Sequence, residues 1–343
     1  MLCLSIIIPM YNVAPYVEKC IRSLQNQDIP KQDYEIICIN DGSPDNCREI
    51  VIKLQQEFSN IVFIEQENQG VSRARNNGID KASGKYLLFI DPDDYVDVNS
   101  FARILKTAED YRAQVSFLGY TVLNENGSIR KAVLNEQEKD AVYLGIKAYS
   151  LARVDGSADP DRMWAVLLET EFMNRNNLRY LPELPYLEDG ELIARIMCLA
   201  QRCIFDGHLF LKRTTRPGSA TNSKLFYSQR ATGGFIRAAA HLRDFKDNVQ
   251  LDKAQREFMN QPICKFTLTA LIPYCSLFTL REFKQNFNLL KKNKLGICDL
   301  RKCNNAYSLE GSLYNLSPYL FLIHRMMGFP LLRIGRALKL LQI

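Results

Sequence analysis

Three carboxylates fall within four residues at Asp91-Pro92-Asp93-Asp94, directly after the apolar run Tyr86-Leu87-Leu88-Phe89-Ile90. Like charges this close repel and do not all ionise without compensation. A hard divalent cation supplies that compensation and also handles phosphate oxygens. The cluster therefore points to metal-assisted chemistry on a phosphorylated substrate. A second acidic group, Glu188-Asp189-Gly190-Glu191, opens an amphipathic helical pattern in which Leu192, Ile196 and Leu199 share one side. One of its acids could take a proton from an attacking hydroxyl. Taken alone, acids in a first helical turn satisfy the helix dipole and cap free N–H groups, and the same dipole is expected to lower their pKa.

Three further polar segments could carry chemistry. Pro9-Met10-Tyr11-Asn12 offers an aromatic face and an amide. Tyr11 could stack on a nucleobase or be a half-buried loop aromatic. Asp41 stands in Asn40-Asp41-Gly42-Ser43, and Ser43 or Asp45 is expected to cap the next helix. That leaves Asp41 free to accept a hydrogen bond, for instance from a pyrimidine N–H. Asn68-Gln69-Gly70 leads into a short helix bearing Arg73 and Arg75. A helix start with two arginines suits a diphosphate, or is a solvated arginine pair. Neither G-x-G-x-x-G nor a Walker A sequence occurs, which argues against dinucleotide oxidoreductases and P-loop enzymes.

These segments need elements to bring them together. Leu4–Pro9, Tyr34–Ile39, Ile61–Glu65 and Tyr86–Ile90 are short apolar runs that read as strands. Between them Val17, Cys20, Ile21 and Leu24, and then Ile50, Leu54 and Phe58, recur at helical spacing. A helix over Ser100–Tyr111 and a fifth strand over Val115–Val122 come next. Continuous apolar strands with helical crossovers predict an α/β fold with a mostly parallel central sheet covered on both faces. In such sheets ligands sit outside the carboxyl ends of the strands. All four segments with chemistry lie there, and right-handed crossovers bring them to one edge. For a single loop, Asp, Asn and Gly would be turn residues; four together favour a site.

In this order and placement, Ser5–Asn12, Asn40–Ser43, Asn68–Asn76 and Asp91–Asp94 resemble the nucleotide-sugar-binding half of a family 2 glycosyltransferase of the bacterial polysaccharide type, with the GT-A fold. The resemblance covers about residues 1–220. It implies a GT-A-like catalytic domain over 1–220 and leaves 221–343 as a helical C-terminal domain. It also implies inverting transfer of a sugar from a nucleoside diphosphate donor, most often a UDP-sugar, to an acceptor hydroxyl in cell-surface polysaccharide synthesis. Pro9, Tyr11, Asn12 and Asp41 would hold the base. Asn68, Gly70 and Arg75 would line the nucleotide pocket. Asp91 would lie near the ribose or the metal, and Asp93 would bind Mn²⁺ or Mg²⁺. Asp189 would be the general base, with Glu188 as runner-up. Arg213, Arg216 and Ser219 would close over the diphosphate, His208 could approach the metal, and Trp164 would pack beside the acceptor site. The chain departs from the family pattern at Asn40, where a second acid is common, and at Ala165-Val166-Leu167, where polar residues are usual. A metal-dependent nucleotidyltransferase and a non-catalytic scaffold are the competing readings.

The remaining features set bounds. The 343 residues carry 44 Lys+Arg against 38 Asp+Glu, a net charge of +6. That is compatible with anions or an acidic membrane and too weak to indicate nucleic acid. None of the ten cysteines forms a C-x-x-C pair, which suits a reducing cytoplasm. The apolar start reads as a strand, not a signal peptide. Phe266–Leu280 is interrupted by Pro273 and reads as a buried helix or helix pair. Residues 124–160 read as a loop or flap, with Asn126-Gly127-Ser128 a tight turn. The tail Leu331–Leu341 is a basic amphipathic helix with Arg333, Arg336 and Lys339 on one face. It suits the inner face of the plasma membrane near a saccharide or lipid-linked saccharide acceptor, or packing onto its own domain or a second subunit.

Overall fold

The computed structural model describes residues 2–134, 140–153, 159–214 and 224–327. The chain divides into two compact units, Met1–Asn222 and Ser223–Ile343.

The first unit alternates strand and helix: β1 Leu4–Met10, α1 Ala14–Gln25, β2 Tyr34–Asp41, α2 Cys47–Glu57, β3 Ile61–Gln66, α3 Val71–Lys81 and β4 Tyr86–Phe89. It continues with β5 Tyr95–Val96, α4 Phe101–Asp110, β6 Val115–Leu123, β7 Ile129–Val133, α5 Gly145–Leu151, β8 Val166–Glu169, α6 Thr170–Arg175, α7 Glu188–Leu199 and β9 Cys203–Arg213. Every residue of β1, β2 and β4 is buried. That is the signature of strands covered on both faces. The strand order is β3-β2-β1-β4-β8-β6-β9-β5, with β7 beside β6. β3, β2, β1 and β4 run parallel, with Ile7 opposite both Ile37 and Phe89. Their carboxyl ends therefore share one edge.

Beyond β4 the sheet is mixed. β8 runs antiparallel to both neighbours, lodged between β4 and β6. β9 returns parallel to β6 and ends against β5, close to the exit of β4. The 124–160 segment is more structured than a loop. Asn126-Gly127 does turn tightly, with Gly127 at φ 81°, but the turn joins β6 to β7, and α5 comes after it. Short period-2 and period-3.6 patterns of this kind are hard to separate from polar loop by spacing alone.

The second unit contains helices α8 Gln229–Asn248, α9 Lys253–Phe258, α10 Asn260–Thr269, α11 Leu280–Lys292 and α12 Asn305–Leu316, and no strand among the described residues. Ser228, Asp252 and Asn304 accept the N–H groups that open α8, α9 and α12, as capping residues do. α10 is buried along nearly its whole length, and Pro273 sits in a 3-10 turn after it. No single described helix is long and apolar enough to cross a membrane.

One contact controls how β4 enters the sheet. A Cβ at Gly84 would lie 2.5 Å from both Leu4 C and Ser5 N, backbone atoms that cannot give way. Gly84→Ala should therefore cost about 1–3 kcal/mol. A lower denaturation midpoint with an unchanged m-value checks this.

Candidate active site

The first two strand exits are stitched together by short polar side chains. Asn12 N–H donates to Ser43 Oγ at 2.7 Å, and Ala14 N–H to Asp45 Oδ2 at 2.6 Å. Asp45 Oδ1 accepts from Ser43 Oγ and from Cys47 N–H, so Asp45 fixes the turn ahead of α2, whose cap position is Asn46 and not Ser43 or Asp45. Partial burial raises its pKa, but the hydrogen bonds from Ser43, Ala14 and Cys47 outweigh it and leave it below the ordinary value. Pro9 is buried within β1, while Tyr11 is 50% exposed at the rim.

Asp41 is not free, which corrects the sequence expectation. Its Oδ1 accepts from Gln66 Nε2 at 2.7 Å and Gln69 N–H at 2.8 Å, and its Oδ2 from Gly70 N–H at 2.8 Å. The buried carboxylate thus ties the third exit to the second. The two loops come so close that a Cβ on Gly42, already at φ +63°, would lie 2.8 Å from Asn68 N. Asn68 itself is exposed. Asn40 is buried, donating to Glu65 and accepting from Ser43 N–H.

At the fourth exit, carboxylate oxygens of Asp91, Asp93 and Asp94 lie within 4.8 Å of one another. Asp94 ties this exit to the end of β9. Its Oδ1 accepts Thr214 N–H at 2.7 Å, just past β9, and Thr214 Oγ1 donates to Asp93 O at 2.6 Å. Its Oδ2 is buried without a partner. Burial, then the Asp91 and Asp93 charges, push its pKa well above the ordinary value. An oxygen-only cluster with an orphaned buried oxygen fits a hard divalent cation.

Arg75 links this exit to the second acidic group. Buried on α3, it donates from Nη2 to Asp91 Oδ1 at 3.0 Å, and from Nη1 to Glu188 Oε1 at 2.9 Å and Asp189 Oδ1 at 3.0 Å. Its guanidinium also lies 5.1 Å from the centre of the Tyr180 ring. Arg75 is committed to carboxylates rather than presented as an isolated cation. Arg73 is exposed.

Asp189 is held on both oxygens. Tyr180 Oη donates to Oδ1 at 3.1 Å, alongside Arg75, and Met163 N–H donates to Oδ2 at 3.1 Å. Burial drives its pKa up to about 7; Arg75 opposes this, while Glu188 and Asp91 add to it. The expected lowering by the helix terminus is overruled because α7 is not an amphipathic surface helix. Asp189 through Cys198 are all buried, with Glu191 and Arg195 paired inside. Leu187, ahead of the helix, takes the left-handed conformation at φ 60°, a strained geometry for a branched side chain.

Trp164 packs edge-on against Tyr120 at 4.8 Å, with Arg213 4.6 Å from its ring. His208 bonds Asp206, which also pairs with Arg103. Arg216, Ser219 and the tail Leu331–Leu341 lie outside the described residues. Tyr180, Met163 and Thr214 were not among the expected residues. Met163 holds Asp189, and Thr214 holds Asp94, through backbone N–H groups, which leave no trace in residue type. Tyr180 stands in a stretch without periodicity.

A parallel sheet edge that gathers carboxylates and a buried arginine beside a candidate base defines a GT-A type of site. Residues 5–162 match the model of glycosyl transferase family 2. The chain is 30% identical over 281 residues to the uncharacterized glycosyltransferase EpsJ of Bacillus subtilis (strain 168), covering 78% of this chain and 76% of that one. It therefore belongs to glycosyltransferase family 2 and is a glycosyltransferase. It is also 33% identical over 146 residues to the poly(ribitol-phosphate) beta-glucosyltransferase of Bacillus spizizenii, a match over 42% of this chain and only 23% of that protein. The fold is similar to the crystal structure of S. aureus TarS 1-349 in complex with UDP-GlcNAc, with TM-score 0.69 and 18% identity, over 97% of this chain and 92% of that one.

The raised pKa of Asp189 has a consequence for stability. Below about pH 4 the group is neutral in both folded and unfolded chains. Between there and about 7 the folded protein keeps a proton that the unfolded chain releases, so its contribution to stability is lost as pH rises through that window. Asp189→Asn should remove this slope. Relative to the variant, the wild-type melting temperature should fall from pH 5 to pH 8, by on the order of 1–4 kcal/mol in stability. Parallel curves would show that Asp189 titrates normally.

Proposed function

We propose that the enzyme moves a sugar from a nucleoside diphosphate sugar, a UDP-sugar in the reading we favour, to an acceptor hydroxyl with inversion. Its setting would be cell-surface polysaccharide assembly at the cytoplasmic face of the membrane, on a saccharide or lipid-linked saccharide acceptor. The carrying observation is Arg75. One buried guanidinium joins Asp91, on the candidate donor and metal side, to Asp189, the candidate base. A poly(ribitol-phosphate) beta-glucosyltransferase and a minor teichoic acid biosynthesis protein among the relatives support the polymer setting, and the UDP-GlcNAc complex of TarS supports the donor class.

In this reading Asp91 and Asp93 hold Mn²⁺ or Mg²⁺, with Asp94 behind them. The ion supplies Lewis acidity for a diphosphate leaving group. Asp189 takes the proton of the acceptor hydroxyl as its oxygen bonds the anomeric carbon and the bond to the diphosphate breaks. A base with pKa near the working pH is suited to this. Tyr180 and Met163 N–H keep the carboxylate fixed, and Arg75 keeps it from being fully neutralised by burial. Tyr11 and Asn12 at the rim offer a ring face and an amide to the base, and Asp41 shapes the pocket by holding residues 66–70. One positioned base and no separate nucleophile is what a single inverting displacement needs.

Asp189→Asn should leave UDP binding nearly intact while transfer falls by about 10²–10⁴-fold; unchanged turnover would move the base to Glu188. In the wild type, kcat should rise with pH through about 7, as Asp189 loses its proton. Asp93→Asn should abolish transfer and the Mn²⁺ dependence of donor binding, read by thermal shift with UDP-sugars. Full activity in that variant would sink the metal assignment.

A further inference from the structure

Apolar side chains crowd one corner of the second unit's surface. Between Lys253–Tyr274 and Leu277–Lys292 the chain bends by 100°. The corner carries Leu277 and Phe278 in a 3-10 turn, 67% and 97% exposed. Beside it lies a cavity of about 320 Å³, walled by Ile272, Cys275, Leu277, Phe278, Arg325 and Met326. Arg325 and Met326 belong to a helical stretch, 318–327, that is apolar on two opposite sides. Phe321 and Leu322 are buried in the unit, while Leu320, Ile323 and Met327 share the other side at helical spacing and are exposed. A helix apolar all round belongs in a protein core or against hydrocarbon. The sequence carries the same spacing on through Leu331, Ile334, Leu338 and Leu341.

Whatever covers this surface has to bring hydrocarbon and negative charge together. From Gly311 onward the sequence holds Arg325, Arg333, Arg336 and Lys339 and no Asp or Glu. Arg281 and Lys284, both exposed, follow the corner. Arg325 spends one terminal nitrogen on Glu310 at 2.8 Å, and its Nε is buried without a partner. The chain's own residues 328–343, or the same face of a second copy, would bring hydrocarbon with charge of the same sign, and like charges repel. An anionic bilayer surface brings both complements at once, and a peripheral protein is held stably when apolar insertion and basic attraction act together. We propose that Leu277, Phe278 and the exposed side of 318–327 enter the interfacial layer of an anionic phospholipid leaflet. An acyl chain fills the cavity, and lipid phosphates face Arg281, Lys284 and Arg325. The inference rests on the membrane setting of the function proposed above and makes it specific to one surface; it does not depend on the donor or the base.

The test is co-sedimentation of the full chain with phosphatidylcholine vesicles, with and without phosphatidylglycerol. Binding is expected only with phosphatidylglycerol, and it should weaken as salt rises. The double variant Leu277→Ser, Phe278→Ser should bind about tenfold more weakly, and Arg325→Gln about fivefold more weakly. The double variant removes only exposed side chains, so it keeps the test readable should Arg325→Gln fail to fold. Both should keep the wild-type thermal shift with UDP and Mn²⁺. Equal vesicle binding by wild type and double variant would place the membrane affinity elsewhere in the chain and overturn the proposal while leaving the membrane setting intact. No vesicle binding by the wild type would overturn the proposal and the setting together. In that case a dimer in sedimentation velocity that the double variant abolishes would assign the face to a second copy, and a lower melting temperature of the double variant without a dimer would assign it to residues 328–343. Failure of the donor reading shows separately, as no UDP thermal shift in the wild type.

Discussion

Arg75 is the contact around which the site is arranged. Its two terminal nitrogens reach three carboxylates, one at the exit of β4 and two at the start of α7, the first of them 113 residues after Arg75. A buried ion pair is weak evidence for stability, since desolvation offsets much of the attraction. Its value here is electrostatic. Without a cation the three acids would drive one another's pKa up and spread apart; with more than one, Asp189 would be fixed as an anion too weak to take a proton. Burial, opposed by this single arginine, holds the Asp189 pKa at about 7. The position of Arg75 comes from α3, whose Ala74, Gly78 and Ile79 face inward against the sheet.

The exits brace one another. Asp45 holds the first to the second, Asp41 the second to the third, and Asp94 the fourth to the end of β9. Each brace is a carboxylate accepting backbone N–H groups, a charge-assisted and directional interaction. Several of the acids that mark the site in the sequence are therefore spent on holding its walls. In the function proposed above, the remainder, Asp93, Asp91 and Asp189, are the ones left for chemistry.

Much of this is legible in the residues alone. Unbroken apolar runs mark β1 to β4, and helical spacing marks α1, α2 and α4, because packing on both faces writes itself into periodicity. The four exits are a consequence of topology. Two kinds of feature stay hidden. Contacts made by backbone N–H groups, such as those of Met163 and Thr214, depend on no particular side chain. Burial of a polar residue is the other: nothing in residue type shows that Glu191 and Arg195 pair inside the protein on α7. The burial of α7 also reverses the pKa expected for Asp189, since a helix dipole is a smaller effect than desolvation.

The placement of β8 bears on how such an enzyme diversifies. The stretch that leaves β6 and returns as β8 is anchored in the sheet at both ends, between Leu123 and Val166. Lengthening a connection whose ends are already fixed costs only about 0.6 kcal/mol per doubling. Insertions and substitutions there, short of Met163 whose N–H holds Asp189, leave the parallel half and its braces untouched. The architecture separates a half of fixed geometry from a tunable one, so a descendant chain can exchange one partner for another without refolding the part that does the chemistry.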